Sequence, residues 1–190
     1  MRIVAGSLKG RKIPAKAAGA SLKGGLLRPT CSKVRESIFN ILGEKVKDSV
    51  FVDLYAGTGA VGIEAMSRRA KTVFFVESEG KRASGIEGML SGCGCRPGAV
   101  IVRKKASAFI RDALREGFRA DIIFLDPPYY SEELDNTLNL LSDGRLLKEG
   151  GLVMAEHHSK KILPEETGAL MRRKSYKYGD TSLTLYKAGR

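Results

Sequence analysis

A chain of 190 residues with 43% hydrophobic content is long enough for one domain with a substantial core and too apolar for general disorder. No apolar stretch approaches membrane-spanning length, no signal-peptide core opens the chain, and three cysteines make a poor disulfide framework, so a cytoplasmic protein that touches no membrane is expected. The net charge of +12 is unevenly spread: residues 1–47 hold eleven Lys and Arg against Glu36 and Glu44, a net +9, which is an electrostatic footprint for a polyanion.

In chain order, Ile3 to Ala5 and Lys12 to Pro14 flank a Gly/Ser/Lys turn and predict a small hairpin, followed by a Gly/Ala/Lys stretch to Leu27. Arg2, Lys9, Arg11, Lys12, Arg28 and Lys33 are the candidate nucleic-acid contacts, because glycines interleaved among such cations let backbone approach phosphates closely. Thr30 or Ser32 can cap a helix through Leu42 with Val34, Ile38, Ile41 and Leu42 on its apolar face. These elements form an expected basic extension, 1–47, packed on a main domain of residues 48–190.

The main domain reads as repeated strand and helix. Strands are predicted at Val50 to Tyr55, Thr72 to Val76, Val100 to Arg103, Ile122 to Leu125 and Gly151 to His157. Helices are predicted after the first glycine turn, at Gly80 to Leu90, at Ala106 to Glu116, and from a Ser131 cap to Leu141, with Leu134, Leu138 and Leu141 inward. A short helix over Pro164 to Leu170 and a hairpin of Arg172 to Tyr178 with Ser182 to Lys187, turning at Gly179-Asp180, complete the chain. The alternation predicts an α/β fold with a doubly wound, mostly parallel sheet and one antiparallel strand.

Two motifs carry chemistry. The first strand runs into Gly57, Gly59 and Gly62 at G-x-G-x-x-G spacing, which suits a tight turn, close backbone approach to a ligand, and close packing of helix on strand. Glu77 ends the second strand, where an acid can accept hydrogen bonds from ribose hydroxyls. The second motif, Asp126-Pro127-Pro128-Tyr129, follows the apolar strand Ile122 to Leu125. Consecutive prolines fix φ and remove N–H groups, so the carbonyls here stay out of helix and ladder. A carboxylate, a carbonyl and an aromatic face side by side suit a planar ring with an exocyclic amine.

Asp53-Leu54-Tyr55-Ala56-Gly57-Thr58-Gly59, Glu77 and Asp126-Pro127-Pro128-Tyr129 together resemble the motifs of S-adenosylmethionine-dependent amino-methyltransferases. Residues 1–11 and 28–42 are similar to one branch of these, the bacterial 16S rRNA guanine-N2 methyltransferase family. The resemblance implies the seven-stranded class I methyltransferase fold and S-adenosylmethionine as cofactor. It implies 16S rRNA in the small ribosomal subunit, or its assembly intermediate, as partner of a monomeric enzyme. Asp126, Pro127, Pro128 and Tyr129 would then be catalytic. Asp53, Tyr55, Ala56, Gly57, Thr58, Gly59 and Glu77 would hold the cofactor, with Thr30 and Arg35 bordering the cofactor or base pocket. Two positions depart from the pattern: Lys105 stands where an acid usually accepts the adenine amino group, and Met89 where an Asn is common. A DNA or RNA methyltransferase acting on adenine N6 or cytosine N4, and a non-catalytic RNA-binding relative, remain open readings. No metal is expected, since Cys93 and Cys95 lack a second ligand pair.

Overall fold

The computed structural model describes residues 2–11, 32–92, 94–95, 97–129 and 131–189. The apolar runs become the strands β1 (Val50–Asp53), β2 (Thr72–Val76), β3 (Ala99–Val102), β4 (Ala120–Leu125) and β5 (Leu147–His158). They are parallel because a helix returns the chain between each pair: α2 (Ala60–Ser67), α3 (Gly80–Gly92), α4 (Ala106–Arg115) and α5 (Glu133–Leu141). Helix α1 (Ser32–Leu42) precedes them, and β6 (Glu166–Thr167), β7 (Leu170–Tyr178) and β8 (Thr181–Ala188) follow. All strands join one sheet in the order β3-β2-β1-β4-β5-β8-β7-β6. β8 lies antiparallel between β5 and β7, and β6 runs antiparallel to β7.

Alternation along the strands divides the interior into two cores. Phe51, Phe75, Phe124 and Met154 pack on one face with Val34 and Ile38 of α1, Ile63 of α2 and Ile86 of α3. Val52, Val76, Leu125 and Val153 pack on the other with Ile110 of α4 and Leu134 and Leu138 of α5. Each such side chain is fully buried and contributes about 1.5–3 kcal/mol.

Ile3 belongs to the first core, so the N-terminal segment shares its packing with the sheet. Bonds from Ile3 N to Arg11 O (3.1 Å) and from Gly10 N to Ile3 O (3.0 Å) close the loop. The second limb of the expected hairpin, from Lys12, lies outside the described residues. What holds the segment down is Glu64 of α2, 1% exposed. Its two carboxylate oxygens accept the N–H groups of Val4 and Ala5, each at 2.9 Å. Arg35 (3.5 Å) and Arg68 (3.3 Å) neutralise it from either side, and Arg35 also donates to the Arg2 carbonyl at 2.8 Å. The chain then passes against α2 so closely that a Cβ on Gly6 would lie 1.9 Å from the Ser67 carbonyl oxygen.

Three expectations are corrected. Among the described residues the sheet has eight strands, not seven, and residues 164–170 form no helix. Gly168 sits at φ +57 in a two-residue turn between paired Thr167 and Leu170, a conformation that ends any helix. Ser131 does not cap α5, because its hydroxyl donates to the Pro128 carbonyl at 2.8 Å and the helix begins two residues later with no side-chain cap.

Candidate active site

Strand order reverses between β1 and β4, and open α/β sheets bind ligands at the carboxyl ends of strands beside such a reversal. A cavity of ≈ 680 Å³ opens there. Its wall brings together Tyr55 and Gly57 after β1, Glu77 after β2, and Asp126, Pro127, Pro128 and Tyr129 after β4.

The glycine loop is pinned from both sides: Leu54 N donates to Phe124 O and Ala56 N to Val76 O, both at 3.0 Å. Gly57, at φ +52, donates its N–H to Glu77 Oε2 at 2.9 Å, while Glu77 Oε1 accepts from Glu79 N at 2.8 Å. Each oxygen keeps a second lone pair, so a ribose hydroxyl can still donate to Glu77. Gly59 is not among the lining residues; a Cβ there would lie 3.1 Å from Ile86 Cγ1, so the position also packs closely against α3. Ala56 is buried and Thr58 partly exposed within the loop, and neither lines the cavity. A Cβ on Gly62 would lie 2.2 Å from the Phe75 ring, which explains the third glycine as a helix-to-strand contact.

Beneath the loop lies Asp53, 1% exposed. Its Oδ2 accepts from Gly62 N at 3.2 Å and its Oδ1 has no well-formed hydrogen bond. Burial pushes its carboxyl up to about 7; the amides of Gly62 and Tyr55 oppose the shift, and the charges of Glu77 and Glu156 add to it. An incompletely satisfied buried carboxylate beside two further carboxylates fits a ligand bearing positive charge, as the ammonium and sulfonium groups of S-adenosylmethionine do.

On the opposite wall, the Tyr129 hydroxyl donates to Glu156 Oε1 (3.1 Å) and lies 3.0 Å from Thr181 Oγ1, fixing the ring between β5 and β8. The ring of His158 meets it edge-on at 6.0 Å. Burial, then the charges of Glu156 and Asp126, raise the Tyr129 phenol above its ordinary range, so it stays protonated. Tyr55 is anchored likewise, through Thr137 (2.6 Å) and Glu133 (2.9 Å) of α5, and its phenol is also raised, chiefly by burial.

Among the described residues Arg35 does not line the cavity; it is buried against Glu64 and helps hold the N-terminal segment. Lys105 lines the rim with Lys104 and Arg82, of which Lys104 pairs with Asp112 and Arg82 with Glu79. Met89 is a core residue under Gly59. Arg2, Lys9, Arg11 and Lys33 are exposed, and Lys12, Arg28 and Thr30 lie outside the described residues. No group of His, Cys, Asp and Glu among the described residues could hold a metal ion. Asp180, which completes the wall, and Glu156 and Thr181, which hold the Tyr129 hydroxyl, went unread as site residues in the sequence. Glu156 carried the same signal as Asp53: an acid near the end of an apolar strand.

A family model described as "Conserved hypothetical protein 95" matches residues 1–187. The chain belongs to this family. Among relatives of this Conserved hypothetical protein 95 member is "Putative rRNA methyltransferase YlbH" of Bacillus subtilis, 37% identical over 98% of both chains. "Ribosomal RNA small subunit methyltransferase D" of Haemophilus influenzae is 31% identical over 98% of this chain and 93% of its own. Among solved structures, "Putative methyltransferase yhhF from Escherichia coli" superposes with a TM-score of 0.84 at 29% identity, covering 100% of this chain and 98% of that one.

Proposed function

We propose that this protein transfers the methyl group of S-adenosylmethionine to the exocyclic N2 of a guanine in 16S rRNA of the small ribosomal subunit. The observation that carries the reading is the single cavity in which Asp126-Pro127-Pro128-Tyr129 faces Gly57 and Glu77. Relatives named as small-subunit rRNA methyltransferases support the substrate class.

When bound, S-adenosylmethionine supplies an electrophilic methyl group. The chain's own residues position the amine and the nucleoside. Glu77 accepts from ribose hydroxyls, and Asp53 sits beneath the loop as counter-charge for the ligand's cationic end. The lone pair of a guanine amine is delocalised into its ring and is a poor nucleophile. Asp126 and the Pro127 carbonyl hold its two hydrogens, favouring pyramidalisation and aiming the lone pair. Asp126 can also take the proton that the nitrogen must lose once it carries a methyl group. Tyr129, fixed through its hydroxyl, offers its ring face to a base drawn out of its stack.

The test is methyl transfer from labelled cofactor to small subunits of a strain lacking this protein, followed by nucleoside analysis. N2-methylguanosine is expected from wild type, and a product at adenine N6 or cytosine N4 overturns the target. Asp126→Ala is expected to reduce turnover by about 10²–10³-fold, the loss typical of one transition-state hydrogen-bonding group, with cofactor affinity spared. A near-normal rate overturns the assignment of Asp126.

A further inference from the structure

Strand β7 carries Arg172, Arg173, Lys174 and Lys177 and no acid. Its register on β8 shifts between Arg172 and Lys174, and the shift changes which side chains face which layer. Before it, Arg172 turns to the side of the second core, donating to the Leu163 carbonyl (2.8 Å) and to the Glu165 carboxylate (2.7 Å). Beyond it, Tyr176 and Tyr178 rest half-buried on the first core, and the Lys174 ammonium lies 5.0 Å over the Tyr176 ring.

This face leads to the cleft. Tyr178 pairs with Thr181, whose hydroxyl meets that of Tyr129, and the turn after Tyr178 places Asp180 in the cavity wall. We infer that Lys174, Tyr176 and Tyr178 form a docking track for the single-stranded RNA flanking the target base. The inference rests on the RNA reading above and extends it to a surface outside the catalytic motifs. Tyrosines two residues apart on a strand stand about 6.6 Å from one another. Aromatic faces with an adjacent cation and no acid on the strand suit stacked bases of any sequence and their phosphates. A second copy of this chain is the poorer occupant, because a self-complementary contact would bring Lys174 of each copy toward the other with no acid on the strand to offset it.

The experiment measures binding of a mixed-sequence single-stranded RNA oligonucleotide, as a function of salt, to wild type and to Lys174→Ala, Lys174→Glu, Tyr176→Ala and Tyr176→Phe. Cofactor affinity and methyl transfer to small subunits are measured on the same proteins. Tyr176→Ala is expected to weaken RNA binding by roughly fivefold or more, while Tyr176→Phe, which keeps the ring, stays near wild type. Lys174→Ala is expected to lower the slope of log affinity against log salt by about 0.7, the value for one single-strand phosphate contact, and Lys174→Glu to weaken binding further. Cofactor affinity stays unchanged in all four, which separates a lost contact from a lost fold. If wild type methylates subunits while every variant binds RNA as it does, the track is wrong and the enzymatic reading stands. If wild type binds RNA through these residues but methylates nothing, the track stands and the enzymatic reading falls. Absence of any RNA binding by wild type overturns the track and the RNA reading together, and a concentration-dependent dimer abolished by Lys174→Glu or Tyr176→Ala overturns the track.

Discussion

The buried Asp53 carboxyl, raised to about 7, ties stability and ligand binding to pH in opposite senses. An acid whose folded pKa exceeds its unfolded value of 3.8 favours the native state at low pH, and that contribution is lost as pH rises to about 7. Asp53→Asn is therefore expected to raise the Tm of the ligand-free protein at pH 8, by about 2–4 °C for each kcal/mol relieved, and to change it little at pH 4. Calorimetric scans at the two pH values check this. A cationic ligand favours the ionised form, so wild-type affinity for S-adenosylmethionine should increase between pH 6 and pH 8, whereas Asp53→Asn should bind weakly with a flattened pH profile. Asp53, Glu77 and Asp126 were legible because each ends an apolar strand. Glu156 follows the same pattern, but β5 continues through His157 and His158 and conceals its tip. The burial of Arg35 was not legible, because the Arg2 carbonyl and Glu64 that it meets come from elements whose meeting no local pattern encodes.

Helix α2 serves two masters: the sheet below it and the N-terminal segment above. Glu64→Gln leaves the buried Arg35 guanidinium without its counter-charge, and breaking a buried pair in this way costs about 3–5 kcal/mol. The expected signature is local as well as global. Denaturant midpoints fall, and the Val4 and Ala5 amides, which donate to Glu64 in the native protein, exchange with solvent faster. Gly62→Ala attacks the other side of the same helix. A methyl group 2.2 Å from the Phe75 ring forces α2 away from β2, so a loss of about 1–3 kcal/mol by overpacking is expected, together with weaker cofactor binding as the loop ahead of the helix moves. The parallel strands and their helices were legible through hydrophobic periodicity. The segment around Gly168 was not, because a glycine inside a short polar run is compatible with a frayed helix until its neighbour across the turn, the Ser142 carbonyl 2.4 Å from where a Cβ would lie, is known.

Across the whole molecule, charge is sorted by depth. Carboxylates lie buried in and behind the wall of the cleft, Glu77 lining it and Asp53 and Glu156 behind, while cations stand at its rim in Arg82, Lys104 and Lys105 and on the exposed N-terminal loop in Arg2, Lys9 and Arg11. On the proposed function, a cationic cofactor and a polyanionic substrate would be drawn to different depths of the site, and added salt should affect them unequally. Raising salt from about 50 to 200 mM is expected to weaken RNA binding by more than tenfold while changing cofactor affinity far less, because exposed charges are screened and buried ones are not. Titrations of each ligand at both salt concentrations check this. The basic balance was legible from composition, whereas its layering required the fold. Strand β8 has a consequence in time as well as in space. It follows β5, β6 and β7 in the chain, yet it is enclosed between β5 and β7 and supplies Thr181 behind Tyr129. A nascent chain therefore keeps the edge of β5 open until β8 has emerged, and Thr181 reaches its place behind Tyr129 only after that strand is made.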